Sequence, residues 1–374
     1  MKMRAAVLYE QGKPRPYAES HPLVIEEVDL DPPGPDEALI EIAAAGLCHS
    51  DLSAIEGIRA RALPVIIGHE SAGIVREVGA NVTEAKPGDH VITSFVTACG
   101  CCAPCIEGRP NLCATSWSAR SSGALISGGR RLSVRGEPIN HGSGISCFAQ
   151  YAVVSRHALV RIDPDISLDD AALFGCAVMT GVGAVVNTAR VQPGAVVAVI
   201  GLGGVGLNAL LGAVVSGAER IIAIDTRAEK LGLARQLGAT ETYDATDPDC
   251  AAKVIEATRG GVEYAFEMAG MLPALELAYR ICRRGGTTVT AGLPHHEHTL
   301  SIPVAAMVSD ERTIKGSYMG SCNFRRDIPR FLALYRQGKL PVDRLKSGVV
   351  DLDGINAGFD RLAEGNVVRQ ILHP

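Results

Sequence analysis

Positive charge is in short supply. Lys and Arg number 36 against 41 Asp and Glu, giving a formal charge of −5 at pH 7 over 374 residues. That balance lacks the basic footprint of a nucleic-acid binder, so no nucleic-acid partner is expected. No export signal is expected either: residues 1–10, MKMRAAVLYE, offer only a short apolar run before an acid. The expected compartment is therefore the cytoplasm. There the 11 cysteines should be reduced, which favours metal binding or catalysis over disulfides. No internal repeat or low-complexity linker is present. Two stretches without charge, 171–189 and 195–218, have the length of a bilayer span. The second holds a glycine-rich motif, and both are expected to be core, with no membrane partner.

What is present begins with that motif. The β-branched run 196–200 reads as a buried strand. Gly201, Gly203 and Gly206 follow in G-x-G-x-x-G spacing, and the apolar 207–215 reads as a helix. A second β-branched run ends in Asp225, 19 residues beyond Gly206. Strand, glycines, helix and distal acid together are the dinucleotide fingerprint, which assigns Gly201, Gly203, Gly204, Val205 and Gly206 to the cofactor. One glycine permits the tight turn, one admits the pyrophosphate, and one lets helix and strand pack closely. The acid accepts from a ribose hydroxyl.

At this length the chain exceeds the roughly 250–300 residues of a single core, so two domains are expected. The first 170 residues look β-rich, with strands expected at 4–9, 23–28, 37–44, 71–78, 90–93 and 151–162. From about 178 the pattern alternates strand and helix, with strands at 196–200, 220–224, 240–243, 262–267, 286–291 and 313–316. This is the signature of an α/β doubly wound parallel sheet. A helix at 327–337 and a last strand near 367–372 follow. The economical layout has 178–321 as a nucleotide domain inserted between 1–177 and 322–374, with the cleft between domains as the default ligand site.

Cys99, Cys102, Cys105 and Cys113 read C-x2-C-x2-C-x7-C around turn-forming Gly and Pro. Four thiolates on a tight loop suit a closed structural zinc site, although an all-sulfur set also admits an iron–sulfur cluster. Cys101 lies inside the loop as a spare or substitute ligand. Cys48, His69 and Cys176 offer two thiolates and an imidazole from separate segments, as a catalytic zinc with an open position requires. Glu70 is a possible fourth or exchanging ligand, and Asp51 a possible acceptor fixing the His69 tautomer. Spacing alone leaves this second set open.

These motifs, in this order, resemble the zinc-dependent medium-chain alcohol dehydrogenases along the whole chain. The matching stretches are 46–51, Gly68-His-Glu70, the four-cysteine loop, Gly175-Cys176 with Thr180-Gly181, the fingerprint with Asp225, and Arg369. The resemblance implies a β-rich GroES-like catalytic domain in two segments around a Rossmann domain. It implies two zincs per chain, with Cys48, His69 and Cys176 holding the catalytic one. That Cys2His set is the one alcohol dehydrogenases are known by, and it comes with the resemblance. By the same resemblance His49 and Arg369 contact the pyrophosphate, Thr180 packs near the nicotinamide, and Lys230 stands beside Asp225 at the ribose. Zinc would acidify the bound alcohol and the nicotinamide would accept hydride. Ser50 would take the alcohol proton. Asp225 favours NAD over NADP, because a 2′-phosphate would meet a like charge.

Two departures stand out. Many family members carry a relay His three residues after the hydroxyl, where this chain has Ser53. The stretch from Trp117 to His141 resembles the long loop of dimeric members, so a homodimer is expected. Glutathione-dependent formaldehyde dehydrogenases share this loop length but place an Arg where Trp117 stands. Trp117 and Phe95 would line an apolar substrate pocket, while Arg59 could bind an acid. A primary or aromatic alcohol is the favoured substrate, and S-(hydroxymethyl)glutathione is the alternative. Zinc-free quinone reductases of the same superfamily lack both cysteine sets. A non-enzymatic zinc module binding nucleic acid is opposed by charge and fingerprint. His295-His-Glu-His298 looks like a metal tract but follows a strand end, and a solvated loop is expected there. Cys147, Cys250, Cys282 and Cys322 are read as small buried or surface residues.

Overall fold

In the computed structural model, which describes residues 1–295 and 297–374, the chain divides into two compact units. The first comprises Met1–Cys176, Asn323–Arg330 and Lys346–Pro374, the second Ala177–Cys322 and Phe331–Leu345. The sequence pattern groups 322–374 as one segment. Residues 331–345 instead belong with the second unit, and Phe331, Leu332, Leu340 and Val342 are their buried anchors.

The first unit is built of strands whose apolar residues fill two clusters. One cluster gathers Ile40, Ile42, Leu47, Val75, Phe148 and Phe359, the other Val7, Val28, Leu132, Ile139 and Val153. Strands Lys2–Leu8, Leu23–Leu30, Leu132–Val134, Glu137–His141 and Val65–Ile66 close a barrel. A seven-stranded sheet runs Leu159–Ile162, His90–Ser94, Glu70–Val78, Glu37–Gly46, Arg369–His373, Lys346–Asp351, with Tyr151–Ser155 paired to Glu37–Gly46. The strand expected at 151–162 is interrupted by a turn at Arg156–Ala158, where the Ser155 hydroxyl accepts from the His157 N–H.

The stretch 117–141, read as a loop, is largely ordered structure. It holds the end of helix Ala114–Ser121 and a hairpin that completes the barrel. The hairpin turns on Arg135 and Gly136, both at positive φ (54° and 84°), as a two-residue turn matched to strand twist requires. Arg in the first position concealed that signal. Glu37 anchors the segment from below. Its buried carboxylate accepts from the Ser127 hydroxyl at 2.7 Å and the Arg131 guanidinium at 2.8 Å.

The second unit is a six-stranded sheet, parallel throughout. Its strands are β1 (Val196–Ile200), β2 (Arg220–Asp225), β3 (Glu241–Asp244), β4 (Val262–Glu267), β5 (Cys282–Thr290) and β6 (Thr313–Gly316). They lie in the order 3-2-1-4-5-6. That is the doubly wound order, in which winding reverses between β1 and β4 and ligands bind beyond the carboxyl ends of the strands. The central β1 (VVAVI) and β2 (RIIAID) are near-continuously apolar and buried, as inner parallel strands are, whereas the edge strands β3 (ETYD) and β6 (TIKG) are polar and more exposed. Helix α1 (Gly204–Val215) leaves β1 through the glycine motif. Among the described residues no single helix is long and apolar enough to cross a membrane. The uncharged stretch 195–218 is β1 and α1, and Ala171 to Val185 are buried helical turns.

Candidate active site

Within the first unit, the ligand atoms of Cys48, His69, Glu70 and Cys176 all lie within 4.8 Å of one another, and all four residues are buried. Each sits at the end of an element. Cys48 caps helix His49–Ile55, His69 immediately precedes the strand Glu70–Val78 that Glu70 begins, and Cys176 follows the turn Leu173–Gly175. Small neighbours allow the convergence. A Cβ on Gly46 would stand 2.8 Å from the Glu70 carboxyl carbon, and one on Gly175 2.7 Å from the Thr93 carbonyl oxygen.

His69 Nδ1 lies 3.0 Å from Asp51 Oδ1, which also accepts from the Gly68 N–H at 3.2 Å. With Nδ1 committed, Nε2 is left facing no hydrogen-bond partner, and neither Glu70 oxygen makes a hydrogen bond. Burying such atoms unsatisfied is costly. Burial opposes a charged His69, but Asp51 and Cys48 outweigh it and raise the imidazole pKa. The Cys176 S–H shares its proton with Cys48, so the Cys48 thiol lies well below its ordinary value and Cys176 well above. Burial pushes the Glu70 carboxyl up to about 7 against the pull of Arg369. Soft sulfur, imidazole and carboxylate donors with unmatched lone pairs fit a zinc-type cation, which would satisfy them together.

Arg369, assigned to a pyrophosphate by the resemblance, is buried in this same cluster. Its guanidinium lies 3.4 Å from Glu70 Oε2 and donates to the Leu47 carbonyl at 3.1 Å. His49 is exposed on the first turn of its helix, Ser50 is half-buried beside it, and the Ser53 hydroxyl donates to the His49 carbonyl at 2.9 Å. Phe95 meets the His69 ring edge-on at 4.9 Å. Arg59 is half-buried after helix His49–Ile55, and the cation over Phe95 is Arg120, 5.4 Å from that ring and 5.7 Å from Trp117. Sequence reading missed Arg120. Its signal is the three-residue spacing from Trp117 on a helix, which puts both on one face.

The four-cysteine loop forms the other cluster, Cys99, Cys102, Cys105 and Cys113, again with sulfurs within 4.8 Å. Cys101 stays outside it, exposed, with its Sγ 3.6 Å from that of Cys99. Two of the thiols are driven in opposite directions. Cys99 is drawn down to about 5, first by the Thr115 hydroxyl and then by backbone N–H groups, while burial and then its neighbours push Cys105 up to about 12. A dication would remove that conflict.

The second unit presents its glycines as the fingerprint demands. Gly201 adopts φ +88°, nothing lies within 4 Å of a Cβ added to Gly203, and a Cβ on Gly206 would stand 1.8 Å from the Gly201 carbonyl oxygen. The turn, the open face for a pyrophosphate and the close helix contact are thus all present. Gly204 and Val205 form the first turn of α1. Asp225 is buried at the end of β2, accepting from the Leu202 N–H at 2.6 Å and the Arg227 N–H at 3.0 Å. Lys230 is half-buried on the following helix, and the Thr180 hydroxyl lies 3.4 Å from Met319 Sδ. In the histidine tract, His295 pairs with Glu297 at 3.6 Å; no metal group involves it among the described residues, and His296 lies outside them. Cys147, Cys250, Cys282 and Cys322 are all buried.

Comparison with known proteins follows the same division. Residues 34–164 match the alcohol dehydrogenase GroES-like domain, and residues 204–337 match the zinc-binding dehydrogenase domain. A curated Mycobacterium tuberculosis protein named "Putative alcohol dehydrogenase D" is 38% identical over 376 residues, covering 100% of both chains. The crystal structure of benzyl alcohol dehydrogenase from Acinetobacter calcoaceticus is 32% identical with a TM-score of 0.92, covering 100% of this chain and 99% of that one. A zinc-binding dehydrogenase of Sinorhizobium meliloti bound to NADP is 26% identical with a TM-score of 0.82, covering 100% of each.

Proposed function

The chain belongs to the zinc-dependent alcohol dehydrogenase family, and from that premise we propose that it moves a hydride between a primary or aromatic alcohol and NAD. The observation that carries the reading is the buried Cys48, His69, Glu70, Cys176 group with its unmatched His69 and Glu70 atoms. Cys48, His69 and Cys176 would hold the catalytic zinc, with Glu70 as fourth or exchanging ligand, and Cys99, Cys102, Cys105 and Cys113 a second, structural zinc. When bound, zinc supplies a Lewis acid that lowers an alcohol's pKa, and the nicotinamide supplies the hydride acceptor.

The chain's own residues do the rest. Asp51 Oδ1 holds the proton on His69 Nδ1 and so leaves Nε2 as the atom that would ligate the metal. Ser50 Oγ, two residues beyond Cys48, takes the alcohol proton and passes it to water or to the ribose hydroxyl, since Ser53 stands where many relatives carry a relay His. The Gly203 face and the first turn of α1 receive the pyrophosphate. Asp225 meets the adenosine ribose and repels a 2′-phosphate, which supports NAD, while Arg227 and the NADP-bound relative support the other cofactor. Phe95 and Trp117 offer aromatic walls, in keeping with the benzyl alcohol dehydrogenase likeness.

One observation favours a second reading. Arg120, stacked on Phe95 and Trp117, gives a cation to an alcohol that carries an acid, S-(hydroxymethyl)glutathione among them. The deciding experiment is a rate panel of aliphatic and aromatic alcohols, plus formaldehyde with and without glutathione, each with NAD and NADP. Benzyl-type alcohols with NAD should give the highest kcat/KM. A strict glutathione requirement would replace the substrate assignment, and equal or better turnover with NADP would sink the cofactor assignment.

A further inference from the structure

The second unit contains a buried acid that this mechanism does not use. Glu267 ends β4 and is 1% exposed. Its Oε1 accepts from the backbone N–H of Ala269 at 2.7 Å and of Gly270 at 2.6 Å. Its Oε2 accepts from the hydroxyl of Thr290, the last residue of β5, at 2.7 Å. Its backbone carbonyl accepts from the Ala291 N–H at 3.1 Å. One side chain therefore folds 268–270 into a tight turn, with Gly270 at φ +72°, and ties the tip of β4 to that of β5.

The turn is pressed against the glycine motif. The Met268 N–H donates to the Ile200 carbonyl at 2.8 Å. A Cβ on Gly201 would stand 2.7 Å from both the backbone nitrogen and the Cβ of Ala269. From the other side Gly292 closes in. A Cβ there would lie 2.3 Å from Gly270 and 2.7 Å from Glu267 Oε2. All these atoms lie at the carboxyl ends of β1, β4 and β5, beside the point where the winding reverses. A carboxylate suits the place because it accepts three hydrogen bonds and donates none, and the part-buried N–H groups of Ala269 and Gly270 both converge on its Oε1.

We propose that Glu267 is a positioning residue for the dinucleotide: its clasp on 268–270 and Thr290 holds the turn that sets Gly201 and keeps the pyrophosphate face of Gly203 open. The assignment rests on the dinucleotide reading above. Removing the carboxylate leaves the part-buried Ala269 and Gly270 N–H groups without their acceptor, and the untied turn can shift into the space beside Gly201.

The test titrates NADH by fluorescence into the full-length, zinc-loaded chain, well below its unfolding temperature. Glu267→Ala should weaken NADH roughly tenfold or more. Its zinc content should stay unchanged, and kcat at saturating NAD should hold within about twofold. Amide exchange at 268–270 should quicken without any dinucleotide. Glu267→Gln keeps an oxygen for the two N–H groups and an amide for Thr290, so it should restore most of the affinity. Gly292→Ala should weaken binding in the same way, and the double variant should be no worse than the poorer single one. An Ala variant that binds NADH like wild type overturns the proposal. So does a Gln variant as weak as Ala, since charge and not position would then be at work. If the Ala variant does not fold, Thr290→Val decides: a few-fold loss supports the clasp, and no loss overturns it. A wild-type chain that binds neither NADH nor NADPH would overturn the dinucleotide reading, and this inference with it.

Discussion

Cys99, Cys102, Cys105 and Cys113 come from one short loop, and three of them are only half-buried. Cys48, His69, Glu70 and Cys176 come from three distant segments, and all four are buried. The loop supplies its sulfurs with backbone partners. The N–H groups of Cys99 and Ser116 donate to Cys113 Sγ at 3.3 and 3.4 Å, and that of Cys102 to Cys99 Sγ at 3.3 Å. The buried group leaves His69 Nε2 and both Glu70 oxygens with no hydrogen bond. The loop also has little apolar support, for Ile106 is 74% exposed and Leu112 38%. The buried group stands on strand and helix ends fixed by the core around Leu47, Leu52 and Phe148. On the proposed reading, a metal at the local set would hold the loop together, whereas the core already assembles the distant set and would leave its metal free for chemistry.

The sharpest way to break that contrast is Cys176→Ala. It should remove about one zinc per chain, while the surrounding core holds the fold. Lewis-acid assistance is worth several kcal/mol, so kcat/KM should fall by about a thousandfold or more. Metal analysis and steady-state kinetics on the purified variant measure both. Retention of zinc and turnover would refute the ligand assignment.

Cys105→Ala should fail differently. Losing a structural metal is among the few single changes that cost more than about 4 kcal/mol, so the unfolding midpoint should drop steeply. Molecules still folded at low temperature should keep much of their turnover per Cys48-site zinc. A variant with unchanged thermal stability and abolished chemistry would exchange the roles given to the two clusters.

The difference between the clusters also explains what could be read from the chain. The four-cysteine loop and the glycine motif are spelled out over short spans, and so are the strands β1, β2 and β4, which fall at the expected 196–200, 220–224 and 262–267 to within a residue, while β5 starts four residues before the expected 286. The Cys48 group was not legible by spacing, because a tertiary fold has to bring its segments together; it entered with the family resemblance. The Arg369–Glu70 ion pair joins residues at opposite ends of the chain, and no local pattern announces it. Arg120 was hidden because the helix Ala114–Ser121 lies in a stretch whose Ser, Gly and Arg read as loop. The 132–141 hairpin was missed because Arg135, rather than Asn or Asp, opens its turn.

The smallest expected effect comes from Cys101→Ser, and it sharpens the account of the loop. Sequence alone left Cys101 as a possible substitute ligand. Its thiol is exposed and lies outside the four converging sulfurs, and the nearby Cys99 raises its pKa, both as hydrogen-bond partner and as a neighbouring negative charge. An exposed side chain that neither packs nor ligates should change stability by no more than about 0.5 kcal/mol when one oxygen replaces one sulfur. Zinc content and unfolding midpoint should therefore match wild type, in contrast to Cys105→Ala in the same loop. Loss of a zinc from Cys101→Ser would show that the loop uses a sulfur other than the four whose spacing identified it.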